Sequence, residues 1–254
     1  MNIQRRLIAA TVSCLLAFLC SAAASAQTAD RGRAPFGDEA LQKVIHDYIL
    51  AHPEVLIESL QIARERQQIR QEQQSKNLIS SLKKELVDDP MTPVRGNPSG
   101  DVTLTEFFDY RCPYCRQVEP WLQTLINNNS SLRVVEKEMP ILGAASVYEA
   151  RMALAALKQG KHEAFHNAIM SKKPNVDDAT ILQLVAQAGL DLDRMKTDMN
   201  SPEVDAEIKR TLEIAKVLKL NGTPAFIVGS ELVLGATDLE TLQALVDEAR
   251  HGTN

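Results

Sequence analysis

The sequence is poor in cysteine and has no excess of positive charge. Its 254 residues include only four cysteines, and its formal net charge at pH 7 is −5. A small fold held together by disulfides needs a denser set of cysteines. Proteins that bind nucleic acid through a basic patch need clustered lysine and arginine, and no such cluster stands out. The composition therefore argues against both classes.

The first 26 residues have the pattern of a secretory signal peptide. A basic start is followed by an apolar run over residues 7–24 and by the small-x-small cleavage signature Ala24-Ser25-Ala26. A retained membrane anchor is the alternative, but the apolar run is near the lower limit for crossing a bilayer. We expect the leader to be removed before Gln27.

Removal of the leader would leave a chain with only two cysteines. Cys14 and Cys20 leave with it, and the loss of two arginines changes the formal net charge from −5 to −7. The remaining Cys112 and Cys115 form a single Cys-x-x-Cys motif. A chain of this length buries an apolar core without disulfides, so the pair is not needed to hold the fold together.

Residues 27–90 are predicted to form a helical segment ahead of the main domain. Apolar residues in "LQKVIHDYI" recur at spacings of three and four, which predicts an amphipathic helix. The stretch "RERQQIRQEQQSKN" over 64–77 is polar on nearly all sides, typical of a solvent-crossing rod or a flexible linker. The segment is too small for a core of its own. Self-association of its apolar stripe is favoured over docking on the main domain.

Residues 91–254 are predicted to form an α/β domain. Strands are predicted for "DVTLTEFFDY" and "SLRVVEKEMP", with a helix between them that starts at the cysteine motif. Residues 144–200 are predicted to be helical, and strand, strand and helix follow in "PAFIVG", "ELVLG" and "TDLETLQALVDEAR". A βαβ half joined to a ββα half is the thioredoxin arrangement. The helical block is then an insertion between the halves.

The cysteine pair falls at a predicted junction between a strand and a helix. At a helix start, unpaired backbone N–H groups and the helix dipole favour a thiolate. We therefore expect the pKa of Cys112 to lie at about 3.5–7, below the usual value of about 8.5. Cys115 lies one turn further in and should be more buried and less acidic. Such a pair can exchange disulfides, with Cys112 attacked by a substrate thiolate and Cys115 or a second substrate thiol resolving the mixed disulfide.

Other uses of the two thiols have less support. A zinc site needs about four ligands, and the chain has one Cys-x-x-Cys. His162 and His166 have the i,i+4 spacing of helical metal ligands, but solvated helix positions are the favoured interpretation. A static disulfide would gain little from closing so short a loop.

Soft thiolates also suit Cu(I), so copper binding remains the alternative function. A surface or assembly protein whose helices matter more than its thiols is a third hypothesis. No cofactor is expected.

A second motif, "NGTPAFIVG", places Thr223-Pro224 just before a predicted strand. In the thioredoxin arrangement this proline is cis and lies against the Cys-x-x-Cys motif. On "EFFDYRCPYC" and "GTPAFIVG", residues 91–254 resemble the DsbA-like class of periplasmic thiol–disulfide oxidoreductases. With "HDYILAHPEVLIESL" added, the chain resembles the suppressor-of-copper-sensitivity protein C (ScsC) and Com1-like group within these DsbA-like and DsbC-like proteins.

The resemblance implies a location, an assembly and an activity. It implies a Gram-negative periplasmic homo-oligomer built by the N-terminal helices, with a trimer favoured and a dimer possible. It implies disulfide isomerase activity with possible dithiol oxidase activity. The expected partners are unfolded or misoxidised exported proteins and a membrane oxidase or reductase. Cys112 and Cys115 would form the redox-active disulfide, and the substrate-binding residues would be Thr223, Pro224, Pro113 and Tyr114.

Glu106 is a further candidate catalytic residue. It lies six residues before Cys112, on the inward-facing alternation of the predicted strand. In the resembled family an acid here sits beneath the cysteines, where it would handle protons as the thiolate forms and disappears. The alternative is a plain edge charge, because unpaired glutamate is rarely buried. Lys137 is a candidate partner for Glu106. Phe107, Phe108 and Trp121 are predicted to belong to the core.

Overall fold

The structure, a computed structural model, describes residues 38–173 and 176–252. The predicted signal peptide lies outside these residues. The described residues fall into two units, one ending at Gln61 and the other beginning at Ile62. Within the described ranges, no helix has both the length and the apolar character needed to cross a membrane.

The N-terminal part of the described chain is helical. Helix α1 spans Asp38–Ala51 and helix α2 spans Glu54–Ser81. Helix α2 runs without a break through the polar stretch 64–77, so this stretch is a helical rod and not an irregular linker. Helix α1 buries none of its side chains, and its larger apolar residues are exposed: Leu41, Val44, Ile45, Tyr48 and Leu50. The assignment of residues 27–90 to self-association stays a prediction.

Apart from β1, the remaining elements follow the predicted order. They are α3 Lys83–Val87, β1 Val94–Gly96, β2 Val102–Phe108, α4 Pro113–Asn128 and β3 Leu132–Glu138. Five helices come next: α5 Ala144–Lys158, α6 His162–Met170, α7 Asp178–Gln187, α8 Leu192–Asp198 and α9 Pro202–Val217. The chain then forms β4 Ala225–Val228, β5 Glu231–Leu234 and α10 Leu239–Gly252.

The five strands form one sheet in the order β1-β3-β2-β4-β5. Strands β2 and β3 are parallel, and the other neighbouring pairs are antiparallel. The predicted α/β class, a thioredoxin fold with inserted helices, is confirmed. Strand β1 was not predicted, because the sequence around it reads as a proline- and glycine-rich break. Its three residues pair with β3, with Val94 opposite Val135.

Both faces of the central strand β2 are covered. On one face, Leu104 packs with Val118 of α4 and Val134 of β3. On the other, Phe107 packs with Ile214 of α9 and with Leu86 of α3. Ile79, at the end of α2, belongs to this second cluster as well. Because side chains alternate along a strand, Glu106 lies on the same face as Leu104 and therefore beneath α4.

Candidate active site

Cys112 is the capping residue at the start of α4. Its backbone is extended, with φ −72° and ψ 120°, and Pro113 occupies the first helical turn. Proline suits this position, because its missing N–H would have no partner inside the helix. The backbone N–H groups of Tyr114 and Cys115, in the first turn of α4, help to lower the pKa of the Cys112 thiol. Pro113 and Tyr114 are exposed, and the Tyr114 side chain is 61% accessible.

Asp109 holds the loop that presents Cys112. The Cys112 N–H donates to the Asp109 carbonyl at 3.0 Å, and the Arg111 N–H donates to Asp109 Oδ1 at 2.8 Å. The other carboxylate oxygen accepts from the N–H groups of Ile141 and Leu142 at 2.9 and 3.0 Å. Asp109 therefore ties the loop before α4 to the loop that follows β3. The sequence analysis did not identify this residue.

The Thr223-Pro224 peptide faces the first cysteine. The bond is cis, as predicted. The Cys112 Sγ lies 3.2 Å from the Thr223 carbonyl oxygen, to which its thiol donates a hydrogen bond. Strand β4, which follows this proline, pairs with β2, which precedes the cysteines. The sheet therefore brings together two motifs that lie about 110 residues apart in the chain.

The two cysteines have opposite electrostatic environments. A hydrogen bond from the Cys115 thiol lowers the pKa of Cys112 to about 5, helped by Thr223 and by the backbone N–H groups of Tyr114 and Cys115, and opposed by burial. Burial raises the pKa of Cys115 far above its usual range, and the nearby Glu106 adds to this rise. Both cysteines are free thiols in the structure. Only Cys112 is therefore disposed to be a thiolate near neutral pH.

Glu106 is buried close to the cysteines. Its side chain is 1% accessible, and neither carboxylate oxygen has a hydrogen-bond partner among residues 38–173 and 176–252. Burial raises its pKa well above the usual value, and the charges of Glu119 and Glu136 raise it further. The structure thus places Glu106 in the interior and excludes an edge charge. Its role in proton transfer stays a prediction.

Lys137 does not pair with Glu106, so that expectation was wrong. Lys137 is adjacent to Phe107 in the strand register and therefore points to the opposite face of the sheet. Its Nζ lies 2.6 Å from Thr92 Oγ1 and 3.5 Å from Glu207 Oε1. The alternation of β3 places Glu136 and Glu138, not Lys137, on the face that Glu106 shares.

His162 and His166 are buried, which contradicts the expectation of solvated histidines. They are 5% and 0% accessible, and with Glu136 they could offer three ligand atoms within 4.8 Å of one another. However, Arg95 Nη1 lies 2.8 Å from Glu136 Oε1 and 3.1 Å from His166 Nε2. A guanidinium group therefore already supplies positive charge where a metal ion would bind. Arg95 also donates to Glu119 Oε1 from Nη2 at 2.8 Å.

Residues 103–247 match the family model of the DSBA-like thioredoxin domain. This range contains both cysteines, Glu106 and the Thr223-Pro224 peptide. The chain belongs to this family. Residues 39–69, which include α1 except its first residue and about half of α2, match the model of the copper resistance protein ScsC N-terminal domain. The resemblance inferred from the sequence is therefore confirmed.

Solved structures of similar proteins share the DSBA-like fold. A thioredoxin-like oxidoreductase from Silicibacter pomeroyi is 45% identical, with a TM-score of 0.64, and the match covers 66% of this chain and 97% of that one. The catalytic domain of Proteus mirabilis ScsC is 25% identical, with a TM-score of 0.63, over 69% of this chain and 98% of that one.

Curated relatives include proteins of quite different length. The Na(+)/H(+) antiporter NhaA 3 of Salinispora tropica is 29% identical over 165 residues, which are 64% of this chain and 25% of that protein. The chain thus spans about a quarter of the length of the first curated relatives it matches. The thiol:disulfide interchange protein DsbA of Bordetella parapertussis is 27% identical over 169 residues, 61% of this chain and 78% of that protein.

The second unit also contains a set of largely buried polar side chains, of which the sequence analysis identified only Glu106 as a candidate catalytic residue. Four acids share one guanidinium and two imidazoles, all beneath or beside the cysteines: Glu106, Glu119, Glu136, Glu138, Arg95, His162 and His166. One signal was available. His162 and His166 share a helix face with Phe165 and Ile169, and a face with that apolar spacing is a buried one.

Proposed function

We propose that this chain is a thiol–disulfide oxidoreductase that acts on exported proteins in the bacterial periplasm, chiefly as a disulfide isomerase and secondarily as a dithiol oxidase. The observation that carries the proposal is the contrast between the two thiols. Cys112 has a pKa of about 5 at a helix start, whereas burial raises the pKa of Cys115. Membership in the DSBA-like family supports the same reaction class.

Cys112 is the proposed nucleophile. As a thiolate, its Sγ attacks one sulfur of a wrongly formed substrate disulfide. An S–S bond forms between Cys112 and the substrate, and the other substrate sulfur leaves as a thiolate. That thiolate can attack a second disulfide within the substrate, and the shuffled product then releases Cys112.

Cys115 is the proposed resolving cysteine, which releases the substrate from the mixed disulfide. Its thiol loses a proton and the resulting thiolate attacks Cys112 Sγ. The Cys112–Cys115 disulfide forms, and the substrate leaves as a thiolate that takes up a proton. The cysteine pair is oxidised by two electrons and the substrate is reduced by two. The reverse sequence oxidises a substrate dithiol.

The surroundings of Cys112 suit an extended substrate. The Thr223 backbone lies beside the sulfur, and Pro113 and Tyr114 are exposed at the same helix start. We propose that Thr223 and Pro224 align the substrate backbone, as in strand addition to a sheet edge, and that Pro113 and Tyr114 contact its side chains. Glu106 is the proposed group that accepts and returns the Cys115 proton.

Self-association through the N-terminal helices is part of this proposal. Apolar side chains of α1 and the start of α2 are exposed, among them Val44 at 61% and Ile57 at 59%. A second copy of the chain is the proposed occupant, because the matched ScsC N-terminal domain covers these residues. A trimer is favoured and a dimer is possible. Several active sites in one particle would favour isomerisation of one bound substrate.

The refolding of a scrambled multi-disulfide protein tests the activity. We expect wild-type chain to restore the native disulfides and a Cys112→Ala variant to restore none. The matched Cys115→Ala variant keeps the nucleophile but should accumulate mixed disulfides. Full activity of Cys112→Ala would refute the proposal.

The direction of electron flow depends on the membrane partner, an oxidase or a reductase. Acid trapping of the thiols in the native compartment reports it. We expect Cys112 and Cys115 to be mostly reduced, as an isomerase requires. A mostly oxidised pair would instead assign the chain to dithiol oxidation.

Copper binding is the second candidate function. The name of the matched N-terminal domain is that of a copper resistance protein, and two neighbouring thiols suit Cu(I). Titration of the reduced chain with Cu(I) tests it, with the Cys112→Ala variant as control. A reduced chain that binds no Cu(I) but still cycles its disulfide would refute copper binding as its function.

A further inference from the structure

The resolving step of the proposed reaction requires a proton to move through the interior. Cys115 is fully buried, and its Sγ must lose a proton when it attacks the mixed disulfide and regain one in the reverse direction. The adjacent Glu106 is also buried. Whichever way electrons flow, a proton must therefore pass between these groups and solvent.

One polar cluster connects this interior with a surface groove. A groove of about 400 Å³ lies between α4 and α6, and Glu119 is among its lining residues. The Glu119 side chain is 13% accessible, and its Oε2 lies 3.3 Å from His166 Nε2. Arg95 Nη1 donates to the same Oε2 at 3.2 Å, and the contacts with His166 and Arg95 keep the pKa of Glu119 low in spite of its burial. Glu119 is thus an ionised group at the solvent end of the cluster.

His166 joins the groove to the interior through its two ring nitrogens. Its Nε2 lies 3.3 Å from Glu119 Oε2 and 3.1 Å from Arg95 Nη1, and its Nδ1 lies 3.2 Å from Tyr110 Oη. The Tyr110 hydroxyl also interacts with the Glu138 carboxyl, which partly opposes the rise in the pKa of that group, and His166 Nε2 lies 3.4 Å from Glu136 Oε1 in the same row of acids. An imidazole can accept a proton on one nitrogen and release one from the other, and a hydroxyl can both donate and accept. The contacts therefore form a continuous chain of groups able to pass a proton.

The interior end of this chain is a row of carboxyl groups on one face of the sheet. Glu138 and Glu136 lie two residues apart on β3, and Glu136 is the register neighbour of Glu106 on β2. His162 lies between the two β3 acids, with Nδ1 3.4 Å from Glu136 Oε2 and Nε2 3.6 Å from Glu138 Oε1. Burial raises the pKa of both Glu106 and Glu138, which favours the protonated, proton-donating form of each.

We propose that Glu119, His166, Tyr110 and Glu138 form a proton path between the α4–α6 groove and the carboxyl row beneath Cys115. His166 is the central relay, and it comes from an inserted helix and not from the sheet or α4. The inserted helices thus take part in the chemistry of the cysteine pair. This inference rests on the proposed thiol–disulfide exchange.

The reaction of the reduced full-length chain with oxidised glutathione tests the path, because it separates two steps. Attack by Cys112 releases a first glutathione, and resolution by Cys115 releases a second. In His166→Gln and in Tyr110→Phe we expect the second step to slow by about tenfold or more at pH 7. The first step should stay within about twofold. An exposed histidine outside the path, changed in His251→Gln, is the matched control.

A solvent isotope effect separates proton transfer from a structural role. If proton transfer limits the second step in the variants, the ratio of its rate in H₂O to its rate in D₂O should be larger in the variants than in wild type. Tyr110→Phe keeps the aromatic ring and its packing, so it remains informative if His166→Gln folds poorly. An unchanged second step in Tyr110→Phe would overturn the path. A wild-type chain that forms no mixed disulfide at all would instead overturn the proposed function.

Discussion

Two cysteines three residues apart in one apolar cluster differ because Cys112 caps the start of α4 and Cys115 lies inside its first turn. The Cys112 sulfur receives hydrogen bonds from Cys115 and from backbone N–H groups at the start of α4. Cys115 packs against the apolar cluster that includes Phe108, Met152 and Phe165. A negative charge is stabilised at the first position and opposed at the second.

The protonation of Cys112 should be visible in its reactivity. Because only the thiolate reacts, alkylation by iodoacetamide should be slow below pH 5, half-maximal at about pH 5 and independent of pH well above it. Rapid-quench mass spectrometry at Cys112 measures this profile. In Cys115→Ala, loss of the thiol hydrogen bond should raise the pKa of Cys112 and move the midpoint to higher pH. A midpoint near the usual thiol value in wild type would contradict the assignment.

On the opposite face of the sheet, a buried ion pair should contribute strongly to stability. Lys137 is fully buried and its charge is compensated by Glu207, which also accepts from Thr92 Oγ1 at 2.8 Å. Glu207→Gln should lower the free energy of unfolding by about 3 kcal/mol, because it leaves an uncompensated buried ammonium group. Urea denaturation measures the change. The exposed pair of Lys209 and Glu213 supplies a control, and Glu213→Gln should leave the midpoint unchanged. An equal loss of stability in Glu207→Gln and Glu213→Gln would show that the buried ion pair makes no special contribution.

At the residue scale, the sequence predicted groups that belong to short motifs and missed groups that depend on tertiary packing. The cysteine pair is recognisable from its spacing, and Thr223-Pro224 from the resemblance of its motif to that of the family. Phe107 and Phe108 were correctly assigned to the core, and Trp121 is partly buried. Asp109, Arg95 and the two histidines of α6 gain their roles only when separate elements meet. Lys137 was misassigned because its partner Glu207 lies 70 residues further along the chain.

At the scale of elements, periodicity in the sequence predicted the order of the strands and helices, but it did not predict β1. Three residues between prolines and glycines carry no periodic signal, and β1 exists because β3 offers an open edge. The loop between β1 and β2 stays close to the start of β3. The Asn97 N–H donates to the Leu132 carbonyl at 2.8 Å, and the Asp101 N–H donates to the Ser131 carbonyl at 2.9 Å.

Gly100 allows this close approach, and its replacement should weaken the edge of the sheet. A Cβ atom at Gly100 would lie 2.4 Å from the Ser131 carbonyl oxygen and 2.8 Å from the Arg133 nitrogen. Both are backbone atoms, so the loop itself would have to move. Gly100→Ala should lower the free energy of unfolding by about 2 kcal/mol, measured by urea denaturation. Gly252→Ala, where a Cβ would meet no atom within 4 Å, is the control. A Gly100 variant as stable as wild type would show that the loop can shift freely.

At the scale of the whole molecule, the distribution of apolar side chains separates the two units. The second unit encloses its apolar residues around the sheet, with Leu104, Phe107 and Phe108 fully buried. In α1 the apolar side chains stay accessible although they recur at helical spacing. A stripe of this kind is characteristic of an interaction surface. Helical periodicity in the sequence predicted the stripe, and its burial by a second copy of the chain stays a proposal.

Substitution within this stripe should separate assembly from thiol chemistry. Val44 and Tyr48 lie one turn apart on α1 and are 61% and 54% accessible. In the double variant Val44→Asp, Tyr48→Asp, two charges would have to be buried at the proposed interface between copies, so we expect the solution mass of a single chain. Light scattering coupled to gel filtration measures it. The variant Gln42→Asp, His46→Asp places the same charges at exposed polar positions of α1 and should keep the oligomer.

The same two variants connect assembly with isomerisation. If several active sites must act on one substrate, the single-chain variant should lose most of its ability to refold a scrambled protein, whereas the control variant keeps it. Alkylation of Cys112 should follow the same pH profile in both, because the hydrogen bonds that lower its pKa lie within the second unit. A single-chain variant with full refolding activity would show that one active site suffices. A wild-type chain that is itself monomeric would refute the proposed assembly through the N-terminal helices.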